Sequence, residues 1–76
     1  MIERTFPADM TVGKFNQQFG VVLDERADLT LEDLIIEDLE HQPQMGDRVT
    51  HGSFELIVKE TSLLEIKSII VKSIPA

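Results

Sequence analysis

The sequence predicts an α+β domain in which one strand and two helices precede three antiparallel strands. Three observations lead to this fold class. In residues 2–6, Ile2, Arg4 and Phe6 alternate with Glu3 and Thr5, as on the two faces of a strand, whereas residues 11–20 and 30–40 carry apolar side chains at helical spacing. Between residues 48 and 72, short aliphatic runs are separated by turn residues. Because both helices come before the last three strands, we expect them to cover one face of an antiparallel sheet.

The first strand is predicted to end at Pro7, which cannot donate a hydrogen bond to a neighbouring strand. A first helix should follow, with Thr11 as its N-cap and Gly20 as its C-terminal stop. Its buried face is predicted to contain three residues at helical spacing, namely Val12, Phe15 and Phe19.

The second helix has the clearest local signal in the chain. Thr30 followed by Asp33 has the spacing of a capping box, in which two side chains satisfy backbone N–H groups of the first turn. The helix is predicted to end near Glu40, with an apolar stripe of Leu31, Leu34, Ile35 and Leu39. Glu37 and Asp38 have no cation four residues further on. We therefore expect the helix to be stabilised by packing and not by ion pairs on its own surface.

The stretch PQMGDRV connects this helix to the sheet. Pro43 prevents the helix from continuing, and Gly46 supplies a position where positive φ is cheap. Asp47 and Arg48 could bind a ligand or a neighbouring domain. Alternatively, Asp47 caps the turn after Gly46, and Arg48 starts an edge strand and shields a carboxylate. We favour the second interpretation, because turn chemistry explains every residue of the stretch.

The remaining strands are predicted at residues 48–51, 54–60 and 66–72, with a loop over residues 60–65 before the last one. In that last strand the aliphatic residues are spaced three and then two apart. This spacing predicts a bulge near Ser68 or burial on both faces.

Length and composition limit the function classes. The chain has 76 residues, enough for one domain with a thin core, and no Cys, which excludes disulfides and thiolate metal sites. It carries a net charge of -7, which disfavours binding to nucleic acids and anionic membranes. No secretory signal or membrane-spanning apolar run is visible, so we expect a soluble chain.

Residues 30 to 71 follow a pattern of a Thr-Leu pair, a helix, a Pro, a Gly-acid turn, a Gly, an aromatic-led strand and spaced aliphatics. The matching positions are Thr30, Leu31, Leu34, Pro43, Gly46, Asp47, Val49, Gly52, Phe54, Val58, Ile66, Ile69 and Val71. On these positions the chain resembles the transporter-associated domain named after the CorC and HlyC proteins. Family members commonly have Gly residues where this chain has Glu32 and Asp33, and Gly-Arg where it has Glu40 and His41. These departures favour the branch found in bacterial cation/proton antiporters.

The resemblance implies that residues 1–76 are a single domain from the C-terminus of a larger bacterial membrane protein, either a cation/proton antiporter or a CorC-like Mg/Co efflux protein. It implies a non-catalytic domain that modulates ion transport on the cytoplasmic side of the inner membrane. The expected partners are the membrane and regulatory portions of that parent. The family fold is similar to that of a subdomain in certain FAD-binding enzymes, but we expect no cofactor, because function belongs to sites and not to folds.

The candidate interaction surface consists of acidic residues and one cation: Glu32, Asp33, Glu37, Asp38, Glu40 and Arg48. The favoured interpretation is a solvated helix face. A second is a docking surface for basic cytoplasmic loops of the parent, and a third is a divalent-cation site. The third is disfavoured because DERADLTLED has neither the alternating oxygen ligands nor the glycine of known calcium loops.

Other functions have weaker sequence support. His41 and His51 have no patterned ligands near them, so metal binding is disfavoured, whereas pH sensing stays open because histidine titrates near physiological pH. No catalytic residue is predicted, since the chain lacks a nucleophile elbow and a phosphate loop. The alternative from a different class is a sensor that binds a small nucleotide or another ligand, although only four Phe could stack a base. Ile57 and Ile70 are expected on the far face of the sheet, where they could pair with a second copy.

Overall fold

The computed structural model describes residues 2–63 and 65–74 of the chain. Its elements in chain order are β1 (Glu3–Pro7), α1 (Val12–Phe19), α2 (Leu31–Asp38), β2 (Arg48–His51), β3 (Phe54–Ser62) and β4 (Glu65–Ser73). The predicted α+β fold class and element order are confirmed.

The four strands form one antiparallel sheet in the order β1-β4-β3-β2. The last strand therefore lies beside the first, with Glu3 opposite Lys72. Residues that face the helices are buried, such as Phe6, Ile69, Val58 and Leu56. This burial places both helices on one face of the sheet and leaves the other face open to solvent.

Side chains of both helices and the sheet form one core. Phe15 of α1 is fully buried, and its ring lies 5.4 Å from that of Phe6, 4.8 Å from Phe19 and 5.8 Å from Phe54. The α1 face predicted from helical spacing thus packs as expected. On the far face, Ile57 and Ile70 lie opposite each other and are half-buried, less open than the sequence predicts.

The second helix ends two residues earlier than predicted. Its last residue is Asp38, and Leu39 follows with extended backbone angles of φ -84° and ψ 141°. Acidic side chains at this end oppose the helix dipole, and the last turn contains no basic residue. Leu39 leaves the helix and packs, partly buried, against the core.

The β3–β4 connection is also shorter than predicted. In place of a loop over residues 60–65, pairing continues to Ser62 and Glu65, and only two residues intervene. Of these, Leu63 has a φ of 55° and is 95% exposed, and Leu64 lies outside the described residues. The sequence signal was weak here because the turn contains no Gly, Asn or Asp.

The irregularity predicted near Ser68 is confirmed. The register shifts on both sides of the pair Glu60 and Ser68. One residue of β3 on one side of this pair and one residue of β4 on the other side therefore have no partner in the register. Because of this shift, Ile66 and Ile69, three residues apart, are both buried.

Candidate functional site: an ionic cluster at the end of the second helix

The structure distributes the residues of the predicted interaction surface over different environments. At the start of α2, Glu32 Oε2 accepts from the Ile66 N–H at 3.0 Å, and Asp33 belongs to the capping box with Thr30. Arg48 points away from α2 on the far face of the sheet, where its Nη1 lies 3.8 Å from Glu55 Oε2.

The other three predicted residues stay together near the end of α2. Glu37 and Asp38 form its last turn, and Glu40 lies exposed two residues further on. Only this end of the helix therefore brings several of the predicted residues into one place.

The corner before the sheet is held by hydrogen bonds within the turn. Asp47 Oδ2 accepts from the Gln44 N–H at 2.8 Å, so its carboxylate caps the turn that precedes it. Gly46 has a φ of 93°, and its N–H donates to the Val58 carbonyl at 2.8 Å. The Asp47 carbonyl in turn accepts from the Val58 N–H at 2.8 Å. These bonds anchor the corner to β3.

Residues 20–30, which we call the connection, pass from α1 to α2 along the first helix. Asn16 accepts from the Leu23 N–H at 2.7 Å and donates its side-chain amide to the Asp24 carbonyl at 3.1 Å. Further along, the Gly13 N–H donates to the Ala27 carbonyl at 3.0 Å. The connection is therefore fixed on both sides of Asp24 and Arg26.

Arg26 binds two carboxylates at once. Its Nε and Nη2 atoms donate to Asp24, both at 3.0 Å, while Nη1 and Nη2 donate to Glu37 at 2.7 and 3.0 Å. The Arg26 guanidinium holds the pKa of the Asp24 carboxyl well below its usual range and also lowers the pKa of Glu37. The hydrogen bond with Asp24 and, second in size of effect, the hydrogen bond with Glu37 raise the pKa of Arg26. All three groups are therefore charged near neutral pH.

His51 adds the sheet to this arrangement. Its Nε2 lies 2.7 Å from Asp24 Oδ2, and its Nδ1 lies 3.9 Å from Asp38 Oδ2. The two closest side chains are sheltered, with 19% of His51 and 12% of Asp24 exposed. We call the five residues Asp24, Arg26, Glu37, Asp38 and His51 the ionic cluster.

Sequence reasoning did not find this cluster. Asp24 and His51 are 27 residues apart, and Arg26 and Glu37 are 11 residues apart, too distant for a local spacing rule. The one available signal was Arg26 itself, the only cation among the nine acidic residues from Asp24 to Asp47.

The cluster is built for charge pairing. Asp24 already accepts four hydrogen bonds, which use the lone-pair positions of both its oxygens. Within residues 2–63 and 65–74, no group of three or more His, Asp or Glu side chains is arranged to hold a metal ion.

A platform for a nucleotide base would need an accessible aromatic ring. Phe6, Phe15 and Phe54 are buried in the core, and Phe19 is partly buried beneath the Arg4 guanidinium, 5.9 Å from its ring centre. The chain contains no Trp or Tyr. The phenylalanines thus serve packing.

The sequence matches the family model described as the transporter-associated domain, CorC/HlyC, over residues 3–75. No curated protein matches it. No helix among the described residues has both the length and the apolar character to cross a membrane.

Solved structures share the fold. A conserved protein of unknown function from Haemophilus influenzae Rd KW20 superposes with a TM-score of 0.82 at 22% identity, covering 95% of this chain and 89% of that one. A putative Mg2+ and Co2+ transporter (CorC) associated region from Neisseria meningitidis MC58 gives 0.80 at 19% identity, covering 96% and 90%. A CorC/HlyC domain from Haemophilus ducreyi gives 0.77 at 10% identity, covering 97% and 99%.

Proposed function

Because this chain belongs to the CorC/HlyC transporter-associated domain family, we propose that it is a non-catalytic regulatory domain that modulates ion transport by a parent bacterial cation transporter. The family match over residues 3–75 is the observation that carries the proposal. The similar structure from Neisseria meningitidis, described as a transporter-associated region, supports the same association. Either a cation/proton antiporter or a CorC-like efflux protein would suit this role as the parent.

The distribution of charge supports docking as the means of regulation. Nine acidic residues and a single Arg lie between Asp24 and Asp47, and Arg26 is already bound to two carboxylates. Glu25, beside Asp24 and Arg26, and Glu40, two residues past the end of α2, are exposed, and Asp28 is exposed in the connection near the start of α2. The partner surface is therefore proposed to be a basic cytoplasmic segment of the parent.

Regulation requires a difference in affinity between two states of the transporter. If the acidic residues between Asp24 and Asp47 bind one state of the transporter more tightly than the other, docking shifts the population toward that state and changes ion flux. Docking through exposed charges weakens with salt, because screening acts beyond about 10 Å at 0.1 M ionic strength.

The primary test is removal of residues 1–76 from the parent, with ion flux measured at several pH values and salt concentrations. We expect flux to change under at least one condition, and unchanged flux under all of them would overturn the proposal. A titration of the isolated chain with adenine nucleotides, followed through amide chemical shifts, tests the alternative sensor function. Saturable shifts there would favour a ligand-binding module.

A charge-reversal pair tests the docking surface. Asp28→Lys and Glu60→Lys alter net charge equally at exposed positions, but only Asp28 lies in the connection. We expect Asp28→Lys to weaken association with the domain-deleted parent and to reduce its salt dependence, whereas Glu60→Lys should bind like the wild type. Equal effects of both variants would show that only net charge matters.

A further inference from the structure

The His51 side chain joins three parts of the fold. It ends β2, its Nε2 lies 2.7 Å from Asp24 of the connection, and its Nδ1 lies 3.9 Å from Asp38, the last residue of α2. On the neighbouring strand, Phe54 lies opposite it and carries no charge. Among residues 2–63 and 65–74, the charged groups within ion-pair distance of the ring are two carboxylates, one at each nitrogen, and Arg26 and Glu37 lie one contact further away.

Hydrogen-bond chemistry fixes where this ring takes up a proton. An ionised carboxylate can only accept hydrogen bonds, so Nε2 must donate to Asp24 even when the ring is neutral. Arg26 keeps Asp24 ionised by lowering the pKa of its carboxyl. An additional proton is therefore bound at Nδ1, on the side that faces Asp38.

We propose that His51 is a proton-controlled clamp, which holds the β2–β3 turn against the end of α2 when Nδ1 is protonated and loosens that contact when the proton leaves. In the neutral ring, the Nδ1 lone pair faces the Asp38 carboxylate and cannot attract it. In the protonated ring, positive charge lies beside an acidic helix C-terminus that has no basic residue in its last turn.

The clamp also changes the charge of the ionic cluster. With a neutral ring, the three carboxylates exceed the single guanidinium by two charges, and a protonated ring reduces the excess to one. The clamp is a property of the 76-residue chain and does not depend on the proposed role in transport. If that role holds, docking to a basic segment becomes pH-dependent.

The test is nitrogen NMR of the imidazole rings combined with amide hydrogen exchange, between about pH 5 and pH 8, the interval in which histidine side chains change charge. We expect Nε2 of His51 to keep its proton throughout and Nδ1 to lose its proton within the interval. After correction for intrinsic exchange, protection of amides in residues 24–29 and 37–39 should fall about two- to fivefold, the size of a charge effect at a helix end.

Three variants give this test its controls. His51→Gln keeps an amide donor for Asp24 but cannot take up a proton, so its protection should be independent of pH. Asp38→Asn leaves the Asp24 contact intact and should reduce the pH response. His41→Gln removes the other histidine, whose side chain is 59% exposed, and should respond like the wild type.

Three outcomes would overturn the clamp. One is a wild-type protection pattern that does not change with pH, and another is an Nδ1 that keeps one protonation state across the interval. The third is a His51→Gln variant with the same pH response as the wild type. Because His51→Gln and Asp38→Asn change different partners, misfolding of one variant leaves the other informative.

Discussion

Arg26 and Glu37 form two parallel hydrogen bonds, Nη1 to Oε2 at 2.7 Å and Nη2 to Oε1 at 3.0 Å, although they are 11 residues apart. The same guanidinium also binds Asp24 through Nε and Nη2. Planar donor geometry of this kind is available to arginine and not to lysine. The pair thereby ties the connection to the exposed face of α2.

Replacement of Arg26 by Lys should loosen the connection. A single ammonium group cannot make paired bonds to two carboxylates, so we expect faster amide exchange at residues 23–29 and a lower urea midpoint, while exchange in β3 and β4 changes little. Arg48→Lys is the matched control, because Arg48 is exposed and makes a single contact with Glu55 at 3.8 Å. Equal loss in both variants would contradict the importance of the paired geometry.

Acid should weaken the domain partly through Glu37 and Asp24. Arg26 lowers the pKa of both groups in the folded chain, below the ordinary values of 4.5 and 3.8. A lowered folded-state pKa stabilises the fold above the unfolded value, and this contribution is lost as pH falls through the folded value. Arg26→Gln should therefore have a lower free energy of unfolding in urea than the wild type at neutral pH. This difference should shrink below about pH 4. A difference that stays constant down to acid pH would argue against this linkage.

The capping box at Thr30 should contribute measurably to stability. Thr30 Oγ1 accepts from the Asp33 N–H at 3.1 Å, and Asp33 Oδ2 accepts from the Thr30 N–H at 2.9 Å. We expect Thr30→Ala to lower the free energy of unfolding by about 1 kcal/mol. Thr11→Ala also removes one cap bond, of 3.2 Å, but from a helix start without a capping box, and should therefore cost less. Equal losses in the two variants would show that the reciprocal Asp33 bond adds nothing to the cap.

Gly13 should resist substitution because the connection passes directly over it. A Cβ there would lie 3.0 Å from the Ala27 Cβ and 3.1 Å from the Ala27 carbonyl oxygen. We expect Gly13→Ala to cost about 1–3 kcal/mol, as overpacking usually does. Adding Ala27→Gly removes one of the two close contacts and should restore part of the loss. No recovery in the double variant would place the strain elsewhere.

Local features of the fold could be predicted from the sequence. The Thr30 capping box depends on residues three positions apart, and the corner at Gly46 and Asp47 depends on a few neighbouring residues. Alternation and helical spacing were sufficient for the type and order of the elements, although α2 ends earlier and β3 and β4 are longer than predicted. In each case the physical cause lies within one or two turns of the chain.

The tertiary relationships could not be predicted in the same way. The contact between His51 and Asp24 exists only because the connection folds back over the end of the sheet, and no spacing rule specifies that path. The need for glycine at position 13 is likewise tertiary. In the sequence Gly13 only weakens a helix, whereas in the structure Ala27 lies against the position that a side chain would occupy. Sequence patterns therefore could not predict the ionic cluster, although four of its five residues lie in the acidic segment between residues 24 and 47.

The pairing of β1 with β4 has a mechanical consequence. The Ser73 N–H donates to the Ile2 carbonyl at 2.8 Å, so the two ends of the described chain lie side by side at one edge of the sheet. Tension applied between these ends would pull the strands apart across their hydrogen bonds and break the pairs one after another, starting at Ile2. The domain would then yield to a small force at its ends while its remaining sheet, β2 to β4, kept its pairing.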